Sequence, residues 1–373
     1  MSNNSPLSSS TRISRFNFKF AFIIFALVFI GLINLYSATH SLNLGHNTQL
    51  FWKQLVWVFI GWGIFLSVTF LDYDFFKRFA YPFYFFNVIA LICVKLFGHT
   101  ALGAQRWIDL GFFMWQPSET AKISIAIVLA KIFCDKSYPN GLGVKDLFLP
   151  AIITVIPFVL TLKQPDLGTS LLIIGIAASM IIFIRVKWSI LIFVLVTSVL
   201  ATPLLWNFGL KSYQKDRVKT FLNPGSDPRG KGYNSIQSKV AVGSGRLLGK
   251  GFRKGTQSQL EFIPERHSDF IYSVLSEEHG FIGSLFALGL FAILFFTSLR
   301  ISYEARDKFG ALLVIGIFSF VFFHTFINIG MVVGILPIVG MPLPLLSYGG
   351  SSMMTIMLGL GLISSVSYHR FLF

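Results

Sequence analysis

The sequence predicts an all-α polytopic membrane protein, with about ten transmembrane helices and one large extracytoplasmic loop between the seventh and the eighth. Three observations carry that expectation. Of 373 residues, 54% are hydrophobic and 13% charged, where an ordinary soluble domain carries roughly 25% charged residues. Apolar runs long enough to cross a bilayer as a helix, about 20 residues, recur along the chain. Lys and Arg crowd into alternate short connections, the bias that orients membrane helices. With 42 Phe and a mean hydropathy of +0.69, a water-exposed surface could not be kept wet, and lipid is the expected solvent.

Residues 1–17, rich in Ser and Asn with Arg12 and Arg15, lack apolar periodicity and read as a disordered cytoplasmic tail. Residues 18–373 read as a single membrane domain. Phe18 to Tyr36 is too long for a signal-peptide core and closes on no small-residue cleavage site, so it reads as a retained first span. Further spans read as Leu55 to Leu71, Ala80 to Phe97, Leu167 to Ile184, Trp188 to Phe208, Ile282 to Leu299 and Leu312 to Val333. Three more are short or interrupted: Pro117 to Phe133 carries Lys122 and Lys131, Leu147 to Leu162 carries Pro150 and Pro157, and Met353 to Val366 is Gly-rich.

With the N-terminus inside, Arg12, Arg15, Lys19, Lys77, Arg78, Lys136, Lys145, Arg185, Lys187, Arg300, Arg306, Lys308 and Arg370 fall on the inner side. The short outer connections hold only Lys53, Arg106 and Lys163, so both termini are expected in the cytoplasm. Residues from about 209 to 280 then form an outer loop, basic but too long to obey the charge rule. Cys93 and Cys134 build no disulfide framework and show no zinc-site spacing. The net charge of +15 points to anionic lipid head groups, and no nucleic-acid motif accompanies it.

The long loop has few residues for a core of its own and must lean on the bundle or the lipid surface. Asn223-Pro-Gly-Ser-Asp-Pro-Arg-Gly reads as turns, and Tyr233 to Val242 as a short interfacial helix. Leu260-Glu-Phe-Ile-Pro-Glu-Arg-His-Ser-Asp-Phe-Ile-Tyr sets Glu261, Glu265, Arg266, His267 and Asp269 directly before a span. A carboxylate at the hydrocarbon edge is pushed up in pKa by desolvation and down by a neighbour such as Arg266, which is how a general base is tuned. On these residues alone Asp269 is a candidate for catalysis or ion binding, set against a plain solvated connector. His267, Ser268 and Asp269 are adjacent, which argues against a nucleophilic triad converging from separate elements. A metal set of Glu261, Glu265, His267 and Asp269 follows no recognised spacing, and the metal is left unknown.

Gly103-Ala-Gln-Arg-Trp-Ile-Asp-Leu-Gly and Gln116-Pro-Ser-Glu-Thr-Ala-Lys form a second polar island. Glu119 and Lys122, three apart, share one helix face and can pair, either as purely structural groups or toward a cavity. In Gln164-Pro-Asp-Leu-Gly-Thr, Asp166 opens a helix, and capping alone would account for it. From Gly334 to Ser352 an uncharged stretch contains Pro337, Pro342 and Pro344 and then Ser347-Tyr-Gly-Gly-Ser-Ser. Such broken backbone is tolerated at membrane depth only where protein or a cavity covers it.

Nine motifs in order, Gly103-Ala-Gln-Arg-Trp-Ile, Gln116-Pro-Ser-Glu, Gln164-Pro-Asp-Leu-Gly-Thr, Asp216-Arg-Val, Ile236-Gln-Ser-Lys, Gly249-Lys-Gly, Gly255-Thr-Gln-Ser, Pro264-Glu-Arg-His-Ser-Asp-Phe and Pro342-Leu-Pro-Leu-Leu-Ser-Tyr-Gly-Gly-Ser-Ser, carry a family resemblance. Over nearly its whole length the chain resembles the SEDS family (shape, elongation, division and sporulation). Gln105 before Arg106, Gly255-Thr-Gln-Ser-Gln, and Arg266 between Glu265 and His267 resemble its elongation, or RodA, type. Departures are Val339 where Thr is common, Arg246 where Gly is usual and Phe252 where Trp is usual.

The resemblance implies a ten-helix peptidoglycan glycosyltransferase of the cytoplasmic (inner) membrane. It would polymerise lipid II, the undecaprenyl diphosphate-linked disaccharide peptide, on the outer face during cell elongation and rod-shape maintenance. Implied partners are a class B penicillin-binding transpeptidase, other elongation-complex membrane proteins and membrane lipid. By its place in the motif Asp269 is similar to the family's essential acidic residue and would be the general base of an inverting transfer. Diphosphate or sugar contacts are implied for Arg106, Trp107, Arg217, Lys239, Lys250, Arg266, His267, Ser347 and Tyr348, and support for Gln105, Glu119, Lys122, Asp166, Glu261 and Glu265. Lys219 adds to the basic loop. No cofactor is required by the motifs; a divalent cation, Mg or Mn, is compatible with a diphosphate. One carboxylate suffices, since a lipid diphosphate leaves as a stabilised anion that needs cations rather than a proton. A lipid II flippase and a non-catalytic scaffold for the transpeptidase are the other readings; polar islands gathered toward the outer face favour chemistry on one side.

Overall fold

Asn17 opens the first helix, its side chain accepting from Phe20 N at 3.1 Å. The computed structural model describes residues 16–370 apart from 42–44, 47, 102, 103, 112, 140, 210 and 227–230, so the expected tail lies outside the described residues except for its last two. Those two precede the helix: Asn17 caps it and Phe16 packs edge-on against Phe18 at 4.8 Å.

Helix α1 (Phe18–Ala38) is followed by the hairpin β1 (His40–Ser41) and β2 (Gly45–His46), then by α2 (Thr48–Phe70), the short α3 (Tyr73–Arg78) and α4 (Ala80–Phe97). A three-stranded antiparallel sheet, β3 (His99–Ala101), β4 (Ala104–Asp109) and β5 (Met114–Trp115), places Gln105 opposite Thr100 and Ile108 opposite Trp115. Then come α5 (Pro117–Cys134), α6 (Val144–Lys163), α7 (Leu167–Ile184) and α8 (Trp188–Leu204), which runs into a π turn, Leu205–Gly209. The long loop holds α9 (Ser212–Leu222), α10 (Lys231–Ser244) and α11 (Thr256–Gln259), and the chain closes with α12 (Ile271–Tyr303), α13 (Lys308–Val333) and α14 (Gly350–His369).

Eight of these helices are long and apolar enough to cross a membrane. Helix α5, which carries Glu119, Lys122 and Lys131, and α8, with 17 residues, complete the ten expected. The protein is a multi-pass membrane protein. It is not purely helical: the motif Ala104–Asp109 forms a strand, where Trp107 and Ile108 suit a pleated, half-buried surface better than a helix turn.

The bundle is centred on α5, α13 and α14, and α14 packs most extensively along α2. Helix α8 buries none of its residues and is apolar on every side, as a helix facing lipid requires. Because lipid tails are as apolar as leucine, association here rests on close packing and interhelical hydrogen bonds. Asn34 Nδ2 donates to Ile271 O (2.9 Å), Tyr84 Oη to Ile153 O (3.0 Å) and Ser365 Oγ to Leu71 O (2.6 Å). Asn17 Nδ2 donates to Ser367 Oγ at 3.4 Å, which brings the two ends of the described chain to the same end of the bundle.

The long loop ends near residue 270 rather than 280, because α12 begins at Ile271, upstream of the expected Ile282. Its first nine residues include buried Glu277 and Glu278, too polar to read as a span. At Gly280 the helix breaks, with φ of +65°. The freed groups are taken up reciprocally: Lys250 N and Gly251 N donate to Glu277 O (3.0 Å) and Glu278 O (2.9 Å), while Phe281 N and Ile282 N donate to Arg246 O (2.8 Å) and Leu247 O (3.2 Å). Arg246 adopts φ of +49°, a left-handed conformation that accounts for the glycine usual at this position. A Cβ at Gly280 would meet Gly249 N and lie 2.6 Å from Leu247 O. Gly280→Ala is therefore expected to separate this loop from α12 and to cost at least about 1–3 kcal/mol, read as a lower melting temperature and faster proteolysis at residues 245–251. An unchanged melting curve would show that the latch bears no load.

Candidate active site

At the end of the bundle away from the chain ends, a cavity of about 730 Å³ opens between α2, β4, the start of α5, the turn before α12 and the Pro-rich stretch before α14. Asp269 lies in its wall, half-buried. Three bonds fix the backbone that carries it. Asn328 of α13 donates through Nδ2 both to Asp269 O (2.8 Å) and to Met341 O (2.6 Å). Ser347 Oγ donates to Ser268 O (2.6 Å) and accepts from Leu343 N (2.7 Å), and Tyr348 N donates to His267 O (2.9 Å). The Pro-rich stretch is thus a covered wall stapled to the Asp269 turn. Gly340, with φ of +74°, lets the chain approach the carboxylate: a Cβ there would sit 3.2 Å from Asp269 Oδ2.

The Asp269 carboxyl is pushed up to about 7, first by burial and then by Glu265, against the pull of Arg106 and Arg217. If it works as a base, activity should rise with pH through about 7, and at pH 6 fall to about a tenth of its plateau. A rate independent of pH between 5.5 and 8 would exclude it from that role.

The other sequence candidates divide by position. Arg106, Trp107, Tyr348, Glu119, Asp166 and Glu265 line the same cavity as Asp269. Arg106 is held by Gln164 O (Nε, 3.3 Å) and by Pro165 O. Asp166 caps α7 through Thr169 N (3.1 Å) and also accepts from Gln116 Nε2 (3.4 Å). Glu119 bonds Lys122 at 2.7 Å; the lysine is 0% exposed, with its ammonium 4.6 Å from the Phe320 ring centre. Arg217 donates to Val339 O (3.3 Å), beside Gly340. Gln105 donates to Gly98 O (2.7 Å) and braces the sheet. His267 lies 3.6 Å from Glu265 and edge-on to Tyr348; burial lowers its pKa against the opposing effect of Glu265.

Three cations lie away from this wall. Arg266 binds Glu261 (2.8 Å) and Ala38 O (2.8 Å), Lys250 binds Glu277 (2.8 Å) and Thr256 (2.7 Å), and exposed Lys239 lies against Gly334. The four-residue metal set does not converge: among the described residues no three of His, Cys, Asp and Glu share a metal position. Glu265 and Asp166, on one cavity, suit only an ion that takes its other ligands from phosphate and water. Glu265, which the sequence offered as a supporting residue beside Asp269, shares the pocket with it. Asn328 and His324, which also lines the cavity, were missed; their signal was two polar residues one turn apart in an apolar span.

Fold and site together define a membrane-embedded enzyme with a cavity at a bundle end, lined by aromatic and apolar side chains and by a set of charged ones. The family model of FtsW, RodA and SpoVE, described as "Cell cycle protein", matches residues 18–371. The peptidoglycan glycosyltransferase MrdB of Escherichia coli K12 is 43% identical over 288 residues, 77% of each chain. A solved peptidoglycan synthase complex, described as coordinating polymerization and crosslinking, contains a chain 30% identical with a TM-score of 0.82, covering 95% of this chain and 98% of that one. The rod shape determining protein RodA of Thermus thermophilus is 26% identical with a TM-score of 0.72 and the same coverage. The chain belongs to the FtsW/RodA/SpoVE family.

Proposed function

We propose that this cavity is where lipid II is polymerised into glycan strands. The chain is a peptidoglycan glycosyltransferase of the elongation type. The observation that carries the site assignment is Asp269, a carboxyl raised in pKa by burial, in the wall of the cavity that Arg106 also lines.

Asp269 takes the proton from the acceptor sugar's 4-hydroxyl as that oxygen attacks the donor's anomeric carbon from the face opposite the diphosphate. The new C–O bond forms, the bond to the diphosphate breaks, and the configuration inverts. The diphosphate leaves with both electrons as an anion, steadied by Arg106 and by Lys53 at the cavity edge. Arg217 acts on the backbone at Val339 and on the local field. The cavity end faces outward and both chain ends face the cytoplasm, in keeping with the basic short loops at the ends' side. A class B transpeptidase is the partner, as the complex containing the similar chain suggests.

A transporter would need polar lining through the whole crossing. Below Lys122, α5 instead buries Ile123, Ile125, Ile127, Val128 and Leu129. The test is polymerisation of labelled lipid II by purified protein, with and without the transpeptidase and divalent cation. Absence of product under every condition, with precursor crossing vesicles, would replace this reading with the flippase.

A further inference from the structure

One helical turn deeper than Asp269, the same cavity ends on two buried polar groups that the proposed reaction does not use. Glu119 is 4% exposed, gives Oε1 to Lys122 and leaves Oε2 unpartnered. His324 is 1% exposed and its Nδ1 has no hydrogen-bond partner. Both side chains line the cavity. Leaving a buried polar atom unpaired costs about 1–3 kcal/mol, so two of them on one cavity floor, from α5 and α13, mark a built subsite rather than incidental packing. Its depth is set by the helix: His324 lies four residues before Asn328, which holds Asp269 O, and four residues advance about 6 Å.

We infer that Glu119 and His324 form a subsite for a neutral ring substituent of the sugar held at Asp269. The charges on the floor select against ions. A cationic group would meet Lys122, and an anionic one would meet Glu119 Oε2. A neutral group that donates to Glu119 Oε2 and accepts from an imidazole N–H satisfies both atoms. An acetamido group and a hydroxyl each have that chemistry. Trp57, Trp107 and Phe113 on the walls offer flat apolar surfaces to the C–H faces of a pyranose ring. The separation along α13 lets one ring present a substituent to the floor while another of its groups stays near Asp269.

This inference rests on the glycosyltransferase reading, and the test keeps the two apart. Polymerisation kinetics of purified wild type, His324→Phe and His324→Asn are measured with lipid II and with two synthetic analogues, one lacking the acetamido group and one lacking a ring hydroxyl. His324→Phe is expected to raise KM about ten-fold with kcat changed by no more than about two-fold, because the lost bond serves ground and transition states alike. His324→Asn, whose amide can stand in place of Nδ1, should bring KM back to within about three-fold of wild type. Wild type should lose a similar factor on the analogue that lacks the held group, and His324→Phe should lose nothing further on it. The analogue that does so tells acetamido from hydroxyl.

An unmoved KM in folded His324→Phe, or a loss confined to kcat, overturns the subsite and leaves an ordered water as the floor's partner. Should His324→Phe not fold, equal KM values for wild type on all three substrates overturn it by themselves. Wild type that polymerises no lipid II removes the glycosyltransferase reading and this inference with it.

Discussion

Asp269→Asn is expected to bind lipid II with near-normal affinity while turnover falls by about 10²–10⁴, the range for loss of a general base. The amide keeps the size and hydrogen-bonding shape of the carboxyl, so the three staples on its backbone stay in place. Asp269→Glu keeps the carboxylate but displaces it by about a methylene, and a misplacement near 1 Å can cost on the order of 10²-fold. Glu265 is the neighbour that could blur the result. It already accepts from Ser268 Oγ (3.0 Å) and lies beside His267, so Asp269→Asn with Glu265→Gln should be no slower than Asp269→Asn alone. Near-normal polymerisation by Asp269→Asn would end the assignment.

The same substitution should stabilise the fold, and the sign follows from linkage. The folded-state pKa is raised from 3.8 to about 7. The protonated carboxyl's contribution is therefore fully present below about pH 4 and is lost as pH rises to about 7, with a total near 4 kcal/mol. Asp269→Asn should thus melt higher than wild type at pH 8 and alike at pH 4. Equal melting at both values would mean that the carboxyl is solvated in the folded protein and its basicity ordinary.

Lys122→Met carries the second large effect. It leaves Glu119 buried without its cation, at a cost of about 3–5 kcal/mol where burial is deep, and removes the ammonium from the Phe320 face. Yield of folded protein and melting temperature should both fall. Lys122→Met combined with Glu119→Gln removes both charges and should recover most of the folded yield but not the activity, since Glu119 faces the cavity. A well-folded, fully active Lys122→Met protein would show that the pair supports neither the fold nor the site.

Membrane architecture was legible because lipid makes it a one-dimensional problem. Every backbone group within a span must be satisfied by its own helix, so length, hydropathy and the placement of Lys and Arg along the chain were enough to read the spans. Hence Ala80–Phe97 is found as expected. The errors fall where tertiary contacts substitute for lipid or water. The start of α12 carries Glu277 and Glu278 and fits no span, yet Glu277 accepts from Lys250, Gln257 N and Ser258 N, and Glu278 from Ser37. Those partners come from α1, 241 positions away, and from the long loop, 19 to 27 positions upstream, and without them the segment reads as part of that loop.

The site divides along the same line. The residue types and their order identified the family resemblance, Asp269 as the carboxylate to watch and Glu119–Lys122 as a pair, because spacing within one helix turn decides whether two side chains can meet. Which cations face the cavity was not in the order of residues. Arg106 faces it, whereas Arg266, three positions from Asp269, turns to Glu261 and Ala38. Asn328 and His324 join Asp269 from a helix some 55 to 59 positions away, and only the packing of α13 against the turn before α12 brings them there. A chain dictates its local hydrogen bonds and its solvent by composition and period, while the meeting of distant side chains depends on how helices of similar apolar character choose neighbours. That choice is made by the few buried polar groups and glycines that fit together in three dimensions.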